Sequence, residues 1–237
     1  MMHSQGIAMN NILYDFTESG IKFDEPVVMI GGANGKDSAI TIKDEEYVIA
    51  VDGGANFCRD KGIQPHLVIG DLDSVHNIEY WQTHSTVVYL YDQEYTDFEK
   101  TLHYVTAPLY KCYRFMGGSR GDHGLASLHA MLRFVDKTII IIEEDHILFT
   151  PPLIWKGVFN TGQWISIFPL SPFKVIASSG LKWSMCNQYF GMGTRVSISN
   201  EICDREISMS FNMPGAVVVM HIDNLDDVIR GLKKNTS

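Results

Sequence analysis

The feature that most constrains this chain is a series of short apolar runs, each ending in glycine or aspartate. Val27–Ile30, Tyr47–Val51, 67–69, 87–91, 113–116 and 138–142 are β-branched or aromatic, and mostly continuous rather than alternating. Continuous apolar strands suit a parallel sheet covered on both faces. Helix candidates lie between them near 55–62, 97–109 and 122–135. That alternation predicts a doubly wound, mostly parallel α/β domain. The first five runs are followed in turn by Gly31-Gly32, Asp52-Gly53-Gly54, Gly70-Asp71-Leu72-Asp73-Ser74, Asp92-Gln93-Glu94-Tyr95-Thr96-Asp97 and Gly117-Gly118-Ser119-Arg120. In a parallel sheet these segments share one rim, where open α/β sheets bind ligands.

The character of the chain changes near 145–152. Beyond it, 158–168, 174–178, 194–199, 207–211 and 216–222 read as strands, separated by turn signals such as Asn160-Thr161-Gly162 and Met213-Pro214-Gly215. This pattern predicts an antiparallel sandwich or barrel. A short helix is expected from Asn224. The expected division is a flexible N-terminus over 1–25, an α/β domain over 26–145 and a β-sandwich domain over 146–237.

Charge narrows the partners. The 237 residues carry 19 Lys plus Arg against 28 Asp plus Glu, a formal charge of −9. An acidic surface repels phosphate backbones and anionic lipid, so neither nucleic acid nor membrane is expected as a partner. Cys58, Cys112, Cys186 and Cys203 form no C-x-x-C pair and lack zinc-finger spacing. Reduced thiols in the cytoplasm are the expectation. Residues 1–11 lack the basic and apolar regions of a secretory signal. No apolar run approaches the roughly 20 residues needed to span a bilayer.

Asp71 and Asp73 flank one residue and face the same way in an extended segment. Their mutual repulsion is relieved by a divalent cation, and Mg²⁺ binds through one or two carboxylates with phosphates and water. Gly-Asp-x-Asp-Ser is also good turn chemistry. Asp52 and Asp97 on the same rim favour the metal. Thr96 and Glu99 form a capping-box pattern. Lys100, three residues after Asp97, can share its helix face. Asp122 is read as a cap of the helix at 123–135 or a ligand group. Arg120, in a glycine-rich loop, offers a planar fork to phosphate. Gly31 to Asp37 only superficially resembles a phosphate-binding loop: three residues separate its glycines, and Asp37 stands where Ser or Thr is needed. Neither G-x-G-x-x-G nor G-x-S-x-G is present.

Asp52-Gly53-Gly54-Ala55-Asn56, Gly70-Asp71-Leu72-Asp73-Ser74, Asp92-Gln93 with Thr96-Asp97-Phe98-x-Lys100, and Arg120-x-Asp122-His123 occur in the order and spacing of the thiamine pyrophosphokinases, which this chain resembles over about 27–222. Ser179-Gly180-Leu181-Lys182-Trp183 and Ser199-Asn200-Glu201 are similar to the family's C-terminal motifs. His66 and Ser119 depart from the pattern. The resemblance implies transfer of the pyrophosphoryl group of ATP to the thiamine hydroxyl, giving thiamine pyrophosphate and AMP. It implies Mg²⁺ on Asp71, Asp73 and Asp97, with phosphates on Lys100 and Arg120. Asp52, Gln93, Thr96, Asp122 and His123 would shape the nucleotide side. Ser199 and Asn200 would hold thiamine, and Trp183 either stacks on it or belongs to the core. It also implies a homodimer with sites between subunits. A pyrophosphokinase for another alcohol, such as a pterin, and a non-catalytic sensor are the competing readings. Paired metal carboxylates speak against the sensor.

Overall fold

The computed structural model describes residues 12–14, 20–33, 40–118 and 120–233. The sequence readings at residues 1–11, 34–37 and Ser119 lie outside these.

The chain begins with β1 (Ile12–Tyr14), β2 (Ile21–Lys22), β3 (Val27–Ile30), β4 (Tyr47–Val51), α1 (Gly54–Asp60), β5 (Leu67–Gly70) and α2 (Ile78–His84). It continues through β6 (Thr86–Leu90), α3 (Asp97–Tyr104), β7 (Val105–Thr106), β8 (Tyr110–Tyr113), α4 (Gly121–Arg133) and β9 (Ile139–Ile142). Antiparallel structure follows: β10 (His146–Phe149), β11 (Ile154–Val158), β12 (Trp164–Pro169), β13 (Phe173–Ser179), β14 (Gln188–Phe190), β15 (Ser197–Glu201), β16 (Glu206–Phe211) and β17 (Ala216–His221). A 3-10 turn over Ile222–Asn224 leads into α5 (Leu225–Lys233).

Eleven strands form one mixed sheet in the order β1-β6-β5-β4-β3-β8-β9-β10-β17-β12-β15. Pairing is parallel from β1 through β9 and antiparallel from β9 onward. A separate antiparallel sheet has the order β11-β16-β13-β14. All four residues of β3, β5, β8 and β9 are buried. These strands are covered on both faces, as their unbroken apolar sequences require. One core cluster runs from Val28 and Ile30 to Ile167, Phe173 and Met209. The separate sheet therefore packs into the same core as the large one. Among the described residues no helix is long and apolar enough to cross a membrane.

Several expectations are corrected. Within the stretch expected to be flexible, β1 pairs with β6 at the edge of the large sheet and β2 pairs with β7 in a separate two-stranded sheet. The strand read at 113–116 lies at Tyr110–Tyr113. Its second residue misled the pattern: Lys111 is 2% exposed, with Nζ 2.8 Å from Glu46 Oε2 and 2.9 Å from the Thr41 carbonyl. A buried, fully paired lysine is invisible to a hydropathy pattern. Helix α2 was not anticipated; it starts at Asn77, whose side chain accepts the Tyr80 N–H from a left-handed backbone. Helix α3 ends at Tyr104 rather than 109. The run read at 158–168 divides into β11 and β12 about a turn with Gly162 at φ 84. His66, a departure from the family pattern, accepts the Val48 N–H on Nδ1 at 3.0 Å and so joins the lead-in of β5 to β4.

Candidate active site

Because β6, β5, β4, β3 and β8 are parallel, the segments that follow them meet at one rim. Asp52 follows β4 in a left-handed conformation, φ 45, and its N–H donates to Ile69. Helix α1 starts next. A Cβ on Gly54 would fall 1.9 Å from the Ile30 carbonyl oxygen, so only glycine lets the helix approach β3 this closely.

After β5, Gly70 at φ 147 and Leu72 at φ 61 fold the Asp71–Asp73 segment into a turn. The Asp73 N–H donates to Asp71 Oδ1 at 3.4 Å, and Ser74 Oγ donates to Asp73 Oδ1 at 2.8 Å. The turn and the carboxylate pair are thus one object. Asp52, Asp71 and Asp73 can bring one oxygen each within 4.8 Å of one another. The donor set is all hard oxygen, which suits Mg²⁺.

Asp97 opens α3 behind this cluster. The capping box at its start is complete: Glu99 N–H donates to Thr96 Oγ1 at 3.3 Å and Thr96 N–H to Glu99 Oε2 at 3.2 Å. Asp97 Oδ1 accepts the Asp71 N–H at 3.1 Å and lies 2.7 Å from Lys100 Nζ, which also reaches Asp71 Oδ2 at 3.3 Å. Lys100 is 1% exposed, so it is an interior cation rather than a surface lysine. Burial works against its charge, but the bond to Asp97 and the charges of Asp97 and Asp71 outweigh this and hold its pKa above the ordinary lysine value. Burial also pushes the Asp52 carboxyl up, and the charges of Asp97 and Asp71 add to this against hydrogen bonds from Gly53 and Ser74. One lysine does not balance these carboxylates, and the excess negative potential favours a cation.

A crevice of about 340 Å³ runs from the cluster along the rim past Gly31, Gly32, Phe115 and His123. Asp52, Thr96, Asp97 and His123 line it. Gln93, Arg120 and Asp122 do not, and Asp71, Asp73 and Lys100 lie beside it rather than in its lining. Gln93 is exposed. Arg120 donates through Nε and Nη2 to the two oxygens of Asp122, at 2.9 and 2.6 Å, with both side chains largely exposed. The bond from Arg120 brings Asp122 down to about 2. Asp122 is not the helix cap; α4 starts at Gly121, with Arg120 at the cap position. Arg114 lines the crevice and was missed. Reading the strand at 113–116 had placed it inside a strand; the true end at Tyr113 puts it on the rim.

The C-terminal motif residues gather elsewhere. Trp183 is 56% exposed, so it is not a core residue. Asn200 is 2% exposed and is used internally: Oδ1 accepts the N–H groups of Trp183 and Glu201 at 3.1 and 2.9 Å, and Nδ2 donates to the Trp183 carbonyl at 2.8 Å. Both line a second cavity of about 340 Å³ with Phe190, Arg195 and Ile198. Ser199, at φ 55, is exposed outside it, and its N–H donates to Ser166 Oγ at 2.9 Å. A larger groove of about 500 Å³ between β11 and α5 contains none of these residues.

Fold and rim define an α/β protein with a ligand crevice at the carboxyl ends of a parallel sheet, lined by carboxylates suited to a hard cation. The model of the thiamin pyrophosphokinase catalytic domain matches residues 39–142, and that of the thiamin pyrophosphokinase vitamin B1 binding domain matches 153–214. Thiamin pyrophosphokinase 1 of Caenorhabditis elegans is 28% identical over 198 residues, covering 73% of this chain and 81% of the relative. Thiamine pyrophosphokinase of Bacillus subtilis is 26% identical over 178 residues, covering 69% and 81%. The fold is also that of the thiamin pyrophosphokinase from Geobacillus thermodenitrificans, at 21% identity and TM-score 0.70 over 83% of this chain and 96% of that one. The Candida albicans enzyme superposes at TM-score 0.69 and 19% identity, over 90% and 96%. This chain belongs to the thiamin pyrophosphokinase family.

Proposed function

We propose that this chain transfers the pyrophosphoryl group of ATP to the hydroxyl of thiamine, forming thiamine pyrophosphate and AMP, at the rim where Asp52, Asp71, Asp73, Asp97 and Lys100 meet. The observation that carries the placement is the set of three carboxylates with oxygens within 4.8 Å, closed from behind by a buried lysine. The new bond joins the thiamine oxygen to the β-phosphorus. The bond from the β-phosphorus to the α,β-bridging oxygen breaks, and AMP leaves with its electron pair. Asp71 or Asp73 takes the hydroxyl proton. Asp52, Asp71 and Asp73 would hold Mg²⁺, which neutralises phosphate charge when bound. Asp97 then serves through Lys100, fixing the ammonium beside Asp71, and Lys100 offers its remaining N–H to the phosphate.

In this reading, residues 26–145 form the nucleotide part and 146–237 the thiamine part, with thiamine stacked on Trp183. Asn200 acts by holding the Trp183 backbone. The functional unit is a homodimer. Eight strand spacings separate β5, which leads into Asp71, from β15, which pairs beside the Trp183 turn, so the two ends lie far apart in the order of the sheet. A second copy brings one to the other. The exposed Trp183, Met192, Val196 and Ile198 are an apolar surface for such a contact. Free Cys58, Cys112, Cys186 and Cys203 fit a cytoplasmic setting.

The test is product identity. With ATP, Mg²⁺ and thiamine, AMP and thiamine pyrophosphate should appear in equal amounts. ADP with thiamine monophosphate would make this an ordinary kinase.

A further inference from the structure

We propose that Arg114 is a nucleotide-contacting residue that holds the AMP half of ATP, the half that leaves; this rests on the reaction proposed above. Among the described residues lining the crevice, Arg114 is the permanent cation. Arg120, the sequence's candidate for phosphate, does not line it and is committed to Asp122.

One element packs against the Arg114 side chain, and two others fix the turn that carries it. Phe57 of α1 lies under the guanidinium, whose carbon is 4.1 Å from the ring centroid. Such stacking covers a face of the guanidinium rather than its edge. Glu143, just past β9, accepts the Met116 N–H at 3.2 Å and so fixes the turn that carries Arg114. Burial raises the Glu143 carboxyl, while hydrogen bonding from Met116 and the charges of His146 and Arg114 lower it, so the guanidinium lies within its field. The backbone is committed as well. Arg114 sits at φ 64, a conformation few non-glycine residues adopt. Its carbonyl accepts the Ala33 N–H at 3.2 Å. A Cβ on Gly31 would come within 2.6 Å of that carbonyl oxygen, so Gly31 must stay bare for the two segments to meet. The left-handed turn thus joins Arg114 to the glycine segment that lines the crevice with it.

Position decides which part of ATP the residue touches. The carboxylate cluster follows β5, and Arg114 follows β8, three strand spacings away, or roughly 14 Å. The β- and γ-phosphates belong at the cluster, where the transferred phosphorus must meet the metal and the attacking hydroxyl. The crevice extends from there past Gly31 and Gly32 to Arg114. The α-phosphate, ribose and base are what remains to fill it. Arg114 would therefore bind the leaving nucleotide and contribute to ATP affinity, leaving the pyrophosphoryl contacts to the carboxylate end.

The test separates the two ends of ATP without turnover. Metal-free AMP and Mg²⁺ with inorganic pyrophosphate are titrated against the whole chain by calorimetry. Arg114→Met should weaken AMP about tenfold and change Mg-pyrophosphate less than about twofold. In the assay the KM for ATP should rise while the KM for thiamine holds. Unchanged AMP affinity overturns the proposal. So does an equal loss for both ligands, which marks a purely structural role. Arg114→Asn, which accepts a left-handed backbone, gives the same reading if the Met variant does not fold. AMP binding is read whether or not thiamine pyrophosphate forms, so failure of the reaction assignment is seen separately.

Discussion

Lys100 is the residue whose environment most changes its expected behaviour. A lysine that only contacted phosphate would affect catalysis and barely change stability, and a solvent-exposed helix lysine would affect neither. Lys100 is instead enclosed between Asp71 and Asp97, and removing it leaves two carboxylates facing each other. We predict that Lys100→Met lowers turnover by at least about a hundredfold and lowers Tm by about 5 °C. Mg²⁺ should raise the Tm of the variant more than that of the wild type, because the cation replaces the missing charge. Scanning calorimetry with and without Mg²⁺ reads this; unchanged Tm and unchanged turnover would mean that Lys100 serves neither end. The pH dependence has a definite sign. The folded pKa of Lys100 is raised, so its stabilisation is fully present below the unfolded value of about 10.4 and disappears only as pH rises through the higher folded value. The Tm gap between wild type and variant should therefore be flat across the neutral range. Asp52, Asp71, Asp73 and Asp97 were legible as a cluster because alternating strands and helices put each at a strand end. The burial of Lys100 was not, since it arises from a carboxylate 29 residues away in sequence.

At the scale of elements, the turn carrying Trp183 and the strand β15 behave as one unit. The Lys182 N–H donates to the Glu201 carbonyl at 2.9 Å, and Leu181 bridges to Ile202. The Asn200 amide closes the Trp183 backbone from within. Asn200→Ala leaves two N–H groups and a carbonyl without their buried partner, and should cost about 2–3 kcal/mol, or a Tm loss of about 4–10 °C. Trp183→Ala removes an exposed ring and should leave Tm within about 1 °C while weakening thiamine about tenfold. Equal Tm for the two variants would contradict this division of roles. The sequence placed both residues in one motif set but did not show that the Asn200 amide is spent on the Trp183 backbone. A side chain's hydrogen bonds depend on which turn the fold lays across it, and 183 and 200 meet only in the finished sheet. The displaced fifth strand has a similar cause: Lys111 is apolar in burial and polar in name, and its partner Glu46 is 65 residues away in sequence.

For the whole molecule, the proposed pairing of two chains makes a quantitative prediction. Asp73→Asn damages the carboxylate end, and Trp183→Ala damages the thiamine end. If each site takes one end from each subunit, a mixed dimer has one site with both lesions and one with neither. Random exchange should then restore activity to about a quarter of wild type. Sites built within one chain would restore nothing, once exchange has been verified by mass spectrometry of tagged subunits. The sheet itself was only half legible: its parallel part follows from continuous apolar runs, but nothing local says that β10, β17, β12 and β15 extend the same sheet. That extension matters for how the chain is made. Strand β17 lies between β10 and β12 in the sheet and comes after both in the chain. A nascent chain can assemble its parallel strands while still on the ribosome, but the β12–β15 pair has no link to the rest of the large sheet until residues 216–221 have left the exit tunnel. The parallel part of the sheet is thus paired before its antiparallel extension can be added, and a chain released early would carry an open strand edge on β10, ready to pair with another such chain.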